Sequence, residues 1–524
     1  MKRTTGQFKV SVIMHYDGEA PGGEERFRND LAAILNQTIA PAELLLLTND
    51  NYPGDTIGTI PIRVIRGDFK TLGQWLETAR KQAAGDYLLY LDNAGISVKL
   101  KRSYLATASL MALKYPTLGM FYADYELISD GQIKEVRLLK HHAGRLRDNQ
   151  DYGRVMFFSS KALSRIGGFD CGLKYKTLYD TRLKLSEVAE LVHVANKFHG
   201  SLYSVSAGSQ VHNVFDYLLA GREAQIEAET VLTAHLKRIG AYLAPGVGHH
   251  KRPTPHAPYQ YLASVIIPVN RRLEFISTAL NSIFNQTVQA IEIIVVVNGG
   301  ADDPTISEVQ KYLPDGELYR ADLPPVRLLV ADINNIGLSL DLGIQVARGQ
   351  YYVQLDSDDR LKPETIEKVL QVFNSDERIG IVIGSYEVWE KKSNGDFVRM
   401  AQIPVVTHDE WTEENGRNNL LHINGAGAPR CIPVAIIREM GYFGINDEQY
   451  ASNYGEDYDL VLKISEKYRV GRVWEPIYEV VRHSGGTDHS IDQATIDRND
   501  EAKDYMRLQA IQRRIRLNRR QARR

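Results

Sequence analysis

The chain has 524 residues, 43% hydrophobic and 24% charged, and its 63 Lys and Arg nearly balance 65 Asp and Glu, for a formal net charge of -2. That composition excludes a disordered, collagenous or coiled-coil chain, and the charge balance leaves no global field to recruit nucleic acid or a membrane surface. Two distant cysteines, Cys171 and Cys431, exclude a disulfide framework and a Cys-based zinc site and point to a reducing, cytoplasmic setting.

In chain order, Met1-Lys2-Arg3 precedes an apolar run from Val10 to Met14 that is too short for a signal-peptide core. The longest apolar stretches, 262–269 and 291–297, fall short of the roughly 18–20 residues that span a bilayer. Residues 31–38, Leu-Ala-Ala-Ile-Leu-Asn36-Gln37-Thr38, are followed by Glu43 and a leucine run ending at Asn49. The same order and spacing return in Leu280-Asn-Ser-Ile-Phe-Asn285-Gln286-Thr287 and Glu292 to Asn298. Further pairs follow in register: 84–92 with 348–356, Ile166-Gly-Gly-Phe169 with Met440-Gly-Tyr-Phe443, and Lys184-Leu-Ser-Glu187 with Lys463-Ile-Ser-Glu466. The chain is a tandem repeat of one domain. A helical pattern over 217–242 closes the first copy, 1–243, and the Pro-, Gly- and His-rich 244–260 reads as a solvated linker.

In the second copy, 264–268 and 291–297 read as strands covered on both faces, with a helix over 274–285 between them. A third strand at 326–331, a helix at 338–347 and a fourth strand at 351–355 complete an alternation that predicts an α/β sheet. Ligands on such sheets gather at the carboxyl ends of the strands. Asn270, Asn298, Asp332 and Asp356 follow the four strands in turn. Asp356-Ser-Asp358-Asp359 clusters carboxylates that repel one another unless a cation such as Mg²⁺ or Mn²⁺ joins them; the plainer alternative is an acidic cap on the next helix. Gly455-Glu456-Asp457-Tyr-Asp459 is either an acidic helix N-terminus or a carboxylate poised as general base. His483, after a strand at 477–481 and before a Gly pair, suits a metal or phosphate contact.

Together these motifs closely resemble the family-2 glycosyltransferases of the GT-A fold: Val-Ile-Ile-Pro268, Asn285-Gln-Thr, Asn335-Ile-Gly337, Gly349-Gln-Tyr, the Asp356-Ser-Asp358-Asp359 "DxD" motif, Gly441-Tyr-Phe443, Gly455-Glu-Asp457-Tyr-Asp459 and His483. The resemblance covers 261–490 and implies two tandem, Rossmann-like GT-A domains with mostly parallel sheets, followed by a basic helical tail at 491–524. It implies a metal-dependent, inverting transfer of a sugar from a nucleotide-diphosphate donor to a glycan or lipid-linked hydroxyl, as in bacterial-type surface polysaccharide synthesis. By the same resemblance Asp457 is the base with Glu456 beside it. Pro268, Asn270, Asn298, Asp332, Asn335 and Asp356 line the nucleotide-sugar pocket, and Asp358, His483 and Asp356 hold Mn²⁺ or Mg²⁺. The usual acidic run after the second strand is here Asn298-Gly-Gly-Ala-Asp302-Asp303, which leaves the residue meeting the base or ribose open.

The first copy keeps the apolar frame and loses these groups. Asp92-Asn93-Ala94-Gly95 stands for the DxD motif, Thr177-Leu178 for Glu456-Asp457, and Gly208 for His483, while Asp180 still matches Asp459. His15 stands where the second copy has Pro268. The first copy is therefore expected to be catalytically degenerate and to bind acceptor, stabilise the active copy or mediate assembly, including homo-oligomers. The alternatives are a bifunctional polymerase using Asp92, Asp124 or Asp180, and a non-catalytic glycan-binding scaffold. In the tail, Leu508, Ile511 and Ile515 share a helical face among arginines. This is a candidate for peripheral contact with the inner face of a membrane, with a solvated or partner-bound tail as the alternative; nucleic acid is not expected.

Overall fold

The computed structural model describes residues 8–52, 56–129, 131–195, 199–206, 221–254, 257–407, 415–423, 425, 427–445, 454–483 and 493–523. The chain divides into two compact units, Met1–Ile239 and Gly240–Arg524.

The first unit carries β1 (Val10–His15), β2 (Glu43–Leu47), β3 (Thr56–Ile57), β4 (Ile60–Ile65), β5 (Tyr87–Leu91), β6 (Ser97–Leu100), β7 (Leu118–Ala123), β8 (Tyr125–Ser129), β9 (Gln132–Val136), β10 (Val155–Ser159), β11 (Glu190–Val194) and β12 (Tyr203–Ser206). Its main sheet runs β11-β7-β10-β5-β1-β2-β4-β3, and β6, β12, β8 and β9 form a smaller one. The second unit carries β13 (Tyr261–Val269), β14 (Ile291–Val297), β15 (Val326–Val330), β16 (Gly349–Gln354), β17 (Arg360–Leu361), β18 (Ile379–Lys391), β19 (Phe397–Arg399), β20 (Arg430–Pro433) and β21 (Arg469–Arg482), in the order β15-β14-β13-β16-β20-β18-β21-β17.

The two sheets share one topology. β4-β2-β1-β5 are mutually parallel, as are β15-β14-β13-β16. β10 and β20 each run antiparallel to both their neighbours, and β7–β11 and β18–β21 are parallel again. The tandem, mostly parallel α/β architecture expected from the sequence is thus present. Consecutive residues of a central strand point to opposite faces, and both faces are covered. Val12 and Leu44 lie in one buried cluster, Ile13 and Leu45 in another. All of β14 is buried, which is why it reads as an unbroken β-branched run.

Several motifs shared by the copies are scaffold. Ser11 Oγ donates to Glu43 Oε1 at 2.6 Å and accepts from Gly85 N–H at 2.9 Å; Ser264, Glu292 and Gly349 repeat the arrangement at 2.7 and 2.9 Å. A Cβ on Gly349 would lie 2.4 Å from the Ala263 carbonyl carbon, so this close approach requires glycine. The glutamine of each Asn-Gln-Thr motif ties two helices together. Gln37 caps Lys101 O and Leu105 N–H, and Gln286 caps Lys362 O and Ile366 N–H.

The 244–260 stretch is mostly exposed and touches the rest of the second unit through backbone hydrogen bonds. His250 N–H donates to Lys467 O at 2.7 Å and Arg252 N–H to Glu377 O at 2.8 Å, since Pro and Gly restrict backbone shape without preventing its remaining N–H groups from docking. The C-terminal helix, Gln493–Gln521, is an integral part of the second unit, with Met506, Ala510 and Ile511 buried together with Arg507 and Arg514. It is the counterpart of the first unit's closing helix, Arg222–Ile239: Arg238 grips Glu187 just as Arg513 grips Glu466. Of the face expected to meet a membrane, Ile511 is buried and Leu508 and Ile515 are half-buried. Among the described residues no helix is long and apolar enough to cross a membrane.

Candidate active site

The parallel strands of the second unit end on the residues singled out from sequence. Pro268 is the penultimate residue of β13, and Asn270 follows that strand and donates from Nδ2 to Asn298 Oδ1 at 3.1 Å. Asn298, 3% exposed, in turn donates to Ser339 Oγ at 3.0 Å. Asn335 caps the Ile336–Val346 helix by accepting Leu338 N–H at 2.9 Å. Thr71 does the same for the Leu72–Gln82 helix of the first unit. The side chains of Asn298 and Asn335 thus each have a partner within the fold. Asp303 is likewise consumed, accepting from Arg271 and Thr305 N–H. Asp332 is exposed, beside Gly300.

The acids gather at the end of β16. Asp356 accepts from Gln354 Nε2 at 3.1 Å, and its own N–H donates to the Tyr478 hydroxyl at 3.0 Å. Asp358 Oδ2 meets His483 Nε2 at 3.0 Å and Arg272 Nε at 3.8 Å, with the His483 ring against Phe275 at 4.3 Å. Asp359 accepts Val481 N–H at 2.7 Å, which ties the motif to β21. Burial pushes the Asp356 carboxyl up to about 6; Arg430 pulls against that rise and Asp358 adds to it. Burial and the Asp358 and Asp356 charges hold Asp359 well above the usual carboxylate range.

The Glu456–Lys467 helix brings the second pair of acids, entering through Gly455 in the left-handed region at φ 88. Glu456 is 8% exposed and its buried Oε2 has no hydrogen-bond partner. Burial first, then the negative charge of Asp457, pushes its carboxyl up to about 8. Asp457 Oδ2 sits 2.7 Å from Arg430 Nη2, and its Oδ1 accepts Tyr458 N–H at 2.6 Å. Arg430 carried no motif in the sequence; only strand register places it here.

Crowded, buried carboxyls with raised pKa values suit a divalent cation, which offsets their mutual repulsion, and the oxygen-rich donor set with one imidazole suits Mg²⁺ or Mn²⁺. Yet among the described residues no group of three or more His, Cys, Asp and Glu is placed to hold a metal. Of the expected set, Asp358 and His483 meet each other, while Asp356 accepts from Gln354.

In the first unit Asp92 persists, but Arg154 Nη1 lies 2.7 Å from its Oδ2, and Tyr90 and His15 continue the chain of contacts. Thr177 and Leu178 open the Thr177–Val188 helix, where the second unit has Glu456 and Asp457. The Asp180–Lys184 pair repeats as Asp459–Lys463, both at 2.6 Å, so the matching aspartate is tied to a lysine of its own helix, and Asp180 is buried. Asp124 is bound to His193 at 2.7 Å and to Leu138 N–H. Gly208 lies outside the described residues.

A mostly parallel sheet with acids and a histidine converging at the carboxyl ends of its strands defines a Rossmann-like α/β domain, in which ligands generally gather at those strand ends. Residues 264–428, within the second unit, match the Glycosyl transferase family 2 model. An uncharacterized glycosyltransferase of Rickettsia prowazekii (strain Madrid E) is 30% identical over 220 residues, 41% of this chain and 61% of its own length. Chondroitin synthase of Escherichia coli is 29% identical over 133 residues, 25% of this chain and 18% of its own length. A crystal structure of S. aureus TarS 1-349 in complex with UDP-GlcNAc aligns with TM-score 0.34 and 18% identity over 44% of this chain and 61% of that one. The chain spans from 28% to 61% of the length of the curated uncharacterized glycosyltransferases it matches first.

Proposed function

We propose that the second unit, at 261–490, transfers a sugar from a nucleoside-diphosphate donor to a hydroxyl of a glycan or lipid-linked acceptor, with inversion at the anomeric carbon. The observation that carries this reading is the convergence of two acid groups, Asp356-Ser-Asp358-Asp359 and Glu456-Asp457, around Arg430 in a unit whose residues 264–428 match this family. Asp358 and His483 would hold Mn²⁺ or Mg²⁺, with Asp356 alongside. When bound, the cation offsets the charge that develops on the departing diphosphate. Asp457 takes the proton of the attacking hydroxyl as the new bond forms. Pro268, Asn270 and Asp332 border the nucleoside. The chondroitin synthase relative favours an acceptor that is itself a growing glycan.

The first unit, at 1–243, is read as non-catalytic. Ala94, Thr177 and Leu178 replace the acidic groups, and Arg154 already neutralises Asp92, which also weighs against a bifunctional polymerase. Nucleoside diphosphate release from a panel of sugar nucleotides, with and without Mn²⁺, tests the assignment. Asp358→Ala and Asp457→Asn each abolish most of the release, whereas Asp92→Ala and Asp180→Ala leave it nearly intact. Release that survives both of the first two changes refutes the assignment.

A further inference from the structure

The second unit contains a cation that the transfer scheme above does not use. Arg430, the first residue of β20, is mostly buried. Its Nη2 lies 2.7 Å from Asp457 Oδ2 and its Nη1 donates to Gly427 O at 2.6 Å. Asp457, Asp356 and Glu456 are the carboxyls whose charges act on it. The guanidinium therefore stands between the acids at the end of β16 and those at the start of the Glu456–Lys467 helix.

The tandem repeat provides an internal comparison. In the second unit Cys431 of β20 faces Val353, three residues before Asp356. In the first, Phe157 of β10 faces Leu89, three residues before Asp92. Met156 thus occupies the place of Arg430. The scaffold groups Ser11, Glu43 and Gln37 all survive in the first unit as counterparts of Ser264, Glu292 and Gln286. The arginine does not; it disappears together with Glu456 and Asp457, whose places hold Thr177 and Leu178. A side chain needed only to build this strand would have no reason to leave with the acids.

We infer that Arg430 is a positioning residue for the transfer, holding the Asp457 carboxylate in the orientation that receives the acceptor proton. This rests on the reading of Asp457 as the base. Proton removal during bond formation depends steeply on geometry. With Arg430 on Oδ2 and Tyr458 N–H on Oδ1, both carboxylate oxygens are fixed. Without the guanidinium, the carboxylate is free to turn about its χ angles. Arg430 is not assigned to the donor, so its loss slows turnover and leaves nucleotide affinity alone.

The test uses the full chain with Arg430→Met, which installs the first unit's residue, and Arg430→Lys, which keeps the charge. UDP with Mn²⁺ is the binding probe, read by calorimetry. Release of nucleoside diphosphate from UDP-GlcNAc, UDP-Glc, UDP-GlcA and GDP-Man is the turnover probe. The expected result for Arg430→Met is a fall in kcat of about 100-fold, on the scale of a misplaced general base, with the UDP Kd within about 2-fold, and Arg430→Lys recovering part of kcat. A kcat within about 3-fold of the parent overturns the inference, as does a loss of UDP affinity that matches the loss of turnover. A melting cycle needs no donor. Arg430→Met lowers the melting temperature, and adding Asp457→Asn raises it again, because the carboxylate no longer lacks its partner; strict additivity overturns the pairing. Failure of the underlying reading looks different. Either the parent chain is silent on every sugar nucleotide, or Asp457→Asn turns over normally while the melting cycle still shows coupling, and in both cases the inference falls with it.

Discussion

Glu456 makes a thermodynamic prediction that needs no substrate. Its carboxyl is raised from 4.5 to about 8 by burial and by Asp457, so the folded chain holds a proton there that the unfolded chain releases. Stability from this group is fully present below about pH 4.5 and falls as pH rises toward 8. At about 1.4 kcal/mol per pH unit the ceiling is about 5 kcal/mol, and the polarisable surroundings of Arg430 and the acids reduce it to a few. Glu456→Gln keeps the shape and removes the titration. The difference in melting temperature between Gln and Glu chains is therefore near zero at pH 5. It opens in favour of Gln through pH 8.5, by about 2–4 °C per kcal/mol for a domain of this size. Asp356 titrates in both chains and largely cancels. Scanning calorimetry or fluorescence melting at half-unit pH steps provides the curve. A difference that stays flat from pH 5 to 8.5, or that favours Glu at the alkaline end, refutes the placement of a buried, proton-holding carboxyl at this position.

Arg507 is fully buried, pairs with Asp504 at 2.5 Å and donates to Ile423 O and Tyr458 Oη. Arg507→Met is expected to cost about 3–5 kcal/mol, read as an earlier urea midpoint. Ser264→Ala leaves Glu292 Oε1 and Gly349 N–H each short of a partner and should cost about 1–3 kcal/mol, with Ser11→Ala behaving alike in the other copy; hydrogen exchange at Gly349 and Gly85 reports it. Asp358→Ala is expected to abolish the increase in melting temperature that Mn²⁺ with UDP produces in the parent chain. An unchanged increase removes Asp358 from the cation site.

Periodicity and duplication made the fold legible. Buried parallel strands such as 291–297 leave continuous apolar runs, and the Ser–Glu–Gly and Asn-Gln-Thr groups recur because each holds the same hydrogen bonds twice. The DxD and Glu456-Asp457 motifs were legible as clusters of charge, although helix caps alone could also account for them. What sequence concealed were single side chains whose meaning depends on register. Arg430 sits in Arg-Cys-Ile-Pro, which signals nothing until β20 is paired to β16. Asn298 and Asn335 stand where ligand residues stand but are turned onto Ser339 and a helix cap. The packing of the C-terminal helix was hidden because arginines around a narrow apolar face suit a membrane surface or solvent as readily as a protein core. Comparing Glu187 and Arg238 with Glu466 and Arg513 would have revealed it as the closing helix of the second copy.

Two sheets with the same order of central strands within one polypeptide also pose a kinetic hazard. Each edge of a nascent copy meets, a few hundred residues along, a segment with the same hydrogen-bonding phase and a matching serine–glutamate lock. Swapped strands are a characteristic failure of such repeats, and domains emerging from the ribosome close in order, before their successors exist. The chain should therefore reach its native state in better yield during vectorial synthesis than on dilution from denaturant, where both copies compete for each other's strands at once.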